Sequence, residues 1–102
     1  MSAQKQGTIM QIVRLKTKLS EEEMLKIAHE REPQFKAISG LVQKYYIKMD
    51  TPGEFGGVYI WDSPESLQKF RQSELAATIA QAYQGVEPPS IEVAGILFQL
   101  RD

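Results

Sequence analysis

The 102-residue chain carries twelve basic and thirteen acidic side chains, no cysteine, and a single histidine, His29. This excludes disulfides, thiolate metal sites, iron–sulfur clusters, cysteine nucleophiles and a multi-histidine metal site within one chain. It also lacks the basic stripe that displaces counterions from nucleic-acid phosphates, and no apolar run approaches the roughly 20 residues of a membrane span.

Residues 1–7 read as a short polar tail without the apolar core of a signal peptide, so a cytoplasmic location is expected. Residues 8–102 are the right size for one domain. The β-branched run over 8–16 predicts a first strand. Ser20-Glu21-Glu22-Glu23 then spells a capping box, with three carboxylates where a helix dipole favours negative charge. Met24, Ile27, Ala28, Arg31, Phe35 and Ile38 recur at helical spacing on one face. Pro33 predicts a kink or a break near Glu32, and Gly40 a helix-terminating glycine.

A second strand is expected over 41–49 and a third over 55–61, joined by a turn with Pro52-Gly53 at its centre. Ser63 and Pro64 have the residue types of a cap and first helical position, opening a second helix. Leu67, Phe70, Glu74, Thr78 and Gln81 follow one side of that helix, flanked by Arg71, Leu75 and Ala82. A loop over 85–89 leads to a last strand over 90–100. The order β-α-β-β-α-β is the ferredoxin-like α+β arrangement, a four-stranded antiparallel sheet with both helices on one face.

A sheet covered on one side normally shows polar residues on the other. Here the first, third and last strands are apolar on both faces: Ile9, Val13 and Leu15 oppose Met10 and Ile12, and Tyr59 and Trp61 oppose Val58 and Ile60. An open apolar face of that size needs a cover, and a second copy of the same sheet is the simplest one. A homodimer through the sheet face is therefore expected.

The stretch Gly40-Leu41-Val42-Gln43-Lys44-Tyr45-Tyr46, followed by Gly56-Gly57-Val58-Tyr59-Ile60-Trp61 and Ser63-Pro64-Glu65, resembles the dimeric α+β barrel superfamily. Within it the chain is most similar to monooxygenase-like proteins of the YdhR type, relatives of the antibiotic-biosynthesis monooxygenases. The resemblance implies a barrel shared by two subunits and a pocket in each between sheet and helices. It also implies oxygenation of quinol- or anthrone-type aromatics without flavin, haem or metal. A deprotonated substrate of that class passes an electron to oxygen itself, so the protein needs only a base, an apolar pocket and groups that stabilise an anion. Several well-known members of the superfamily surround the substrate with asparagine, tryptophan and histidine. This chain contains no asparagine, and only Trp61 is carried over.

The candidate catalytic residues are His29, Arg31 and Trp61, and the candidate substrate contacts are Gln43, Tyr45, Tyr59, Arg71 and Glu74. Tyr45, Tyr59 and Trp61 project from one sheet face if the second and third strands pair in that register, with Gln43 on the same alternation as Tyr45. They then form either an aromatic ligand wall or core and interface packing. Arg31, on an apolar helix face, is either an anchor for an anionic oxygen or half of an ion pair with Glu74. Arg71 and Glu74 can pair at i,i+3. His29 is the base by intrinsic pKa, but its helical phase lies off the apolar stripe. Beside the oxygenase-like reading stand a non-catalytic small-molecule binding or sensing dimer and a purely structural dimerisation module.

Overall fold

The computed structural model describes residues 6–101, so residues 1–5 of the expected polar tail lie outside the described residues. The first β-branched run forms β1 (Ile9–Lys16); its Gln11, Val13 and Leu15 are buried, and the alternate Met10, Ile12 and Arg14 half-buried. Helix α1 (Glu21–Lys36) opens on the expected capping box: Ser20 Oγ accepts from the Glu23 N–H, and the Glu23 carboxylate accepts from the Ser20 N–H. The break expected at Pro33 does not occur, and α1 runs unbroken to Lys36. Only three helical residues follow Pro33. The Ala37 N–H reaches back to the Pro33 carbonyl at 3.2 Å, and buried Phe35 pins the last turn to the core. Ala37, not Gly40, is the C-cap.

Strands β2 (Leu41–Lys48) and β3 (Glu54–Trp61) form the hairpin. Its turn is closed by the Glu54 N–H on the Thr51 carbonyl at 3.2 Å, with Gly53 at φ +80°, a conformation glycine adopts without Cβ strain. Helix α2 (Pro64–Arg71) starts at the Ser63 cap as expected. The helical run then differs from expectation, splitting further into α3 (Glu74–Ala77) and α4 (Ile79–Ala82). Ser73 causes the first break: its Oγ donates to the Phe70 carbonyl and accepts from the Ala76 N–H, the local competition with the backbone that serine offers.

Strand β4 (Ser90–Gly95) is shorter than the expected 90–100. It runs antiparallel to β1, and Gly95 already faces Ile9, the first residue of β1. One further rung, the Ile96 N–H on the Thr8 carbonyl, ends the ladder for want of a partner. Leu97, Phe98 and Leu100 lie beyond it, 96%, 79% and 81% exposed.

The strand order is β2-β3-β1-β4, all antiparallel. This is the ferredoxin-like α+β sheet. The core lies on the helix side, where Val13, Leu15, Phe55, Tyr59 and Trp61 of the sheet meet Met24, Ala28, Phe35, Leu67 and Phe70 of the helices. Facing away from the helices are Met10, Ile12, Val58 and Ile60, so the sheet is apolar on both sides.

One register differs from expectation. Lys44 pairs with Tyr59 and Tyr46 with Gly57, whereas Tyr45 pairs with Val58 and Gln43 with Ile60. Paired residues share a face, so Tyr45 and Gln43 lie on the open side, opposite to Tyr59 and Trp61. Lys44 and Tyr46 are the β2 residues that turn toward the helices.

Candidate functional site

Four aromatic rings from three elements form a wall between sheet and helices. Alternation along β3 sends Tyr59 and Trp61 to the same side, where their rings stack with centroids 6.0 Å apart and planes 4° from parallel. Phe70 of α2 leans on Trp61 at 5.1 Å and on Tyr59 at 5.4 Å, and Phe35 of α1 on Tyr59 at 6.2 Å. Two polar side chains enter this wall from opposite sides.

Gln11 enters from β1. It is 2% exposed, and its Oε1 accepts the indole N–H of the fully buried Trp61 at 3.0 Å. An indole only donates, so the amide must present its oxygen to Trp61, leaving the Nε2 hydrogens free to donate elsewhere. That nitrogen has no hydrogen-bond partner among the described residues. Gln11 lines a pocket of about 280 Å³ beside β4, with Val13, Phe70, Arg71, Ile79, Pro89 and Ile91 among its walls. The pocket exists because α2, α3 and α4 stop short of the β4 edge: Ile91 and Val93 point to the helix side yet remain half-exposed.

Lys44 enters from β2. Its Nζ sits 3.5 Å from the ring centroid of Phe35, 4.3 Å from that of Tyr46 and 4.5 Å from that of Tyr59. Gly57 leaves the room: a Cβ there would lie 3.2 Å from Lys44 Cε and 3.1 Å from Tyr59 Cε1. Burial first, and the Arg31 charge second, bring the amine down to about 7. The ring faces attract an ammonium and work against that shift. Burial also raises the phenols around it: Tyr46 upward, Tyr83 up to about 12, and Tyr59 well above the ordinary phenol range. Lys44 lines an outer pocket of about 410 Å³ with Glu32, Phe35, Lys36, Leu41, Gln43 and Tyr46. It also borders an inner void of about 30 Å³, room for one water.

The residues singled out from sequence are dispersed. Trp61 and Tyr59 form the wall, and Arg71 lines the pocket that Gln11 enters. Arg31 borders the wall, its guanidinium 5.9 Å from the Phe35 ring centroid, with Nη2 donating to the Leu75 carbonyl at 3.2 Å and to Thr78 Oγ1 at 3.3 Å. The ion pairs expected of Arg31 with Glu74 and of Arg71 with Glu74 do not form; Glu74 shares only a surface cleft with Arg31. His29 is on the outer face of α1, exposed and paired through Nδ1 with Glu32. Gln43 rims the outer pocket, and Tyr45 is 55% exposed on the open sheet face. The sequence reading missed Gln11, Lys44, Tyr46 and Tyr83. Gln11 carried a signal, as the polar member of the inward series Ile9, Gln11, Val13 and Leu15. Lys44 carried none, because a lysine beside Tyr45 reads as the solvent side of its strand.

No family model and no curated protein matches the chain. Solved structures do. A Nitrosomonas europaea protein of unknown function superposes with a TM-score of 0.77 at 23% identity, over 96% of this chain and 97% of that one. SnoaB, a cofactor-independent oxygenase from Streptomyces nogalater, gives 0.73 at 10% identity, over 95% and 100%. The ActVA-Orf6 monooxygenase of Streptomyces coelicolor, solved with the ligand Nanaomycin D, gives 0.70 at 11% identity, over 94% and 93%. Others are proposed antibiotic biosynthesis monooxygenases. At these identities the likeness establishes a shared fold and nothing finer, the same ferredoxin-like α+β sheet in each.

Proposed function

We propose that the protein is a cofactor-independent monooxygenase-like dimer acting on a small electron-rich aromatic, a quinol or an anthrone, bound in the pocket beside β4. The observation that carries this reading is the buried Trp61–Gln11 pair. The indole fixes the amide so that its free N–H donors serve a ligand oxygen, and Arg71 on the same pocket adds a cation. Both stabilise an oxyanion, which lowers the cost of ionising the substrate. The ionised aromatic then gives an electron to dioxygen, and the radical pair joins as a peroxide. For an anthrone, loss of water leaves a carbonyl where the methylene stood; one oxygen atom enters the product and the other leaves as water. No outside reductant is needed. Trp61 acts here as a positioning residue through Gln11, with Arg71 and Gln11 as the ligand contacts.

The open sheet face of Met10, Ile12, Val58 and Ile60, with the exposed Leu97, Phe98 and Leu100 beyond β4, supports burial against a second copy. A second reading, binding without turnover, is favoured by one observation: the residues lining the pocket beside β4 include no histidine or carboxylate. Oxygen-electrode measurements with anthrone and naphthoquinol separate the two. The oxygenase reading expects uptake by the wild type and a loss of about tenfold or more in Trp61→Phe and Gln11→Leu, with folding checked by circular dichroism. Saturable binding without oxygen uptake selects the binding protein. Neither binding nor uptake removes both.

A further inference from the structure

Lysines Lys16, Lys36 and Lys48 each meet a carboxylate: Lys16 with Glu87 at 3.2 Å, Lys36 with Glu32 at 3.5 Å, Lys48 with Glu21 at 3.0 Å. Lys44 does not. Among the described residues its Nζ makes no ion pair and no hydrogen bond; it is surrounded by ring faces. A protonated lysine has three donors to satisfy, and Lys44, half-buried against ring faces at the edge of the outer pocket, finds no protein acceptor for them. An unprotonated amine in the same place has a free lone pair and leaves far less unsatisfied.

We propose that Lys44 is a carbonyl-capturing amine: in the pocket between α1 and β2 its Nζ condenses reversibly with a small aldehyde of flat, apolar body. The amine nitrogen adds to the carbonyl carbon and a proton passes from nitrogen to the carbonyl oxygen, giving a carbinolamine. Loss of the hydroxyl with the second N–H proton, as water, leaves the imine. One aldehyde and one amine thus yield one imine and one water, with no oxidant or reductant. The surroundings favour this over proton abstraction. A base would end as an ammonium among rings and near Arg31, whereas the imine is neutral and its apolar body lies against Phe35, Leu41 and Tyr46. A volume of about 410 Å³ accommodates a ring-sized ligand. The site lies across the aromatic wall from the pocket beside β4 and stands independently of the oxygenase reading.

The charged and titratable groups facing this amine are Tyr46 on its own strand, Tyr59 on β3, Arg31, Glu32 and Lys36 on α1, and Tyr83 after α4. Glu32 is already engaged by His29 and Lys36, and the phenols are all raised, so none offers the amine a counter-ion near neutrality.

The test is reductive trapping on the full chain with limiting benzaldehyde and sodium cyanoborohydride, read by peptide mapping. At pH 7 the expected result is benzylation of Lys44 at least about tenfold faster than of Lys16, Lys36 or Lys48, which serve as internal controls. Its rate should level off above an inflection near pH 7, while the others keep rising past pH 9. Leu41→Ser with Tyr46→Ser, which opens the apolar side of the outer pocket to water, should raise that inflection and reduce the preference. Labelling of Lys44 no faster than its neighbours, an inflection near pH 10, or indifference to opening the pocket would each overturn the proposal. None of these outcomes depends on oxygen uptake, so the two readings fail separately.

Discussion

Gln11 and Lys44 lie on either side of one aromatic wall, and the wall treats them differently. Gln11 has a partner whose chemistry fixes it, since the Trp61 indole can only donate and takes the amide oxygen. Lys44 has only ring faces, which attract a cation and accept no conventional hydrogen bond. One polar group is therefore oriented and the other is shifted in pKa. A buried side chain gains direction from a partner of matching polarity, and gains altered acidity from the lack of one.

The largest way to break this contrast is to remove the wall. Trp61→Ala deletes a fully buried indole and strands the Gln11 carbonyl, and should cost about 3–5 kcal/mol in urea unfolding. Next is the pH dependence. The Lys44 amine stands at about 7 in the folded chain and near its ordinary 10.5 in the unfolded one. Between those values the unfolded chain binds the extra proton, so stability rises with pH, by up to about 1.4 kcal/mol per unit. Below pH 7 both states are protonated and the full penalty remains. Above pH 10 the raised tyrosines act in the opposite sense, so the comparison belongs between pH 7 and 10. Lys44→Met should flatten the rise and be more stable than the wild type at pH 7, checked by urea titrations at stepped pH.

A smaller effect sharpens the Gln11 side. Gln11→Leu leaves the indole N–H without an acceptor and should cost about 1–3 kcal/mol. The double variant Gln11→Leu with Trp61→Phe should cost less than the sum of the singles, because both polar partners are then gone. The smallest effect on the wall comes from the open face. Val58→Glu should abolish the proposed dimer in native mass spectrometry, while tryptophan fluorescence still reports a buried Trp61.

Much of the fold was legible because local chemistry and burial agree there. Ser20 with Glu23, Ser63 with Pro64 and Pro52-Gly53 are signals whose partners lie within four residues, and all three form as read. The two-sided apolar strands were legible too. Part of what was not legible depends on distant partners: the length of β4 is set by where β1 begins. The break at Ser73 is local but hidden, because a serine inside an amphipathic run reads as one more helical position until its Oγ engages both the Phe70 carbonyl and the Ala76 N–H. The site was read half correctly: alternation gives Tyr59 and Trp61 a common face. Their relation to Tyr45 depends on a register displaced at Val42, where the β2 ladder slips between Leu41 and Gln43. That slip brings Lys44 inward, and the hydrophobic pattern of β2 hides it.

The most direct test uses the single tryptophan. One indole N–H cross-peak appears in a proton–nitrogen NMR spectrum, and it reports the Trp61–Gln11 bond without further assignment. Titrating naphthoquinol under anaerobic conditions should shift that peak together with one side-chain amide pair, which Gln11→Leu removes. An indole peak that stays fixed while the quinol binds would contradict the placement of the ligand at the Gln11 amide.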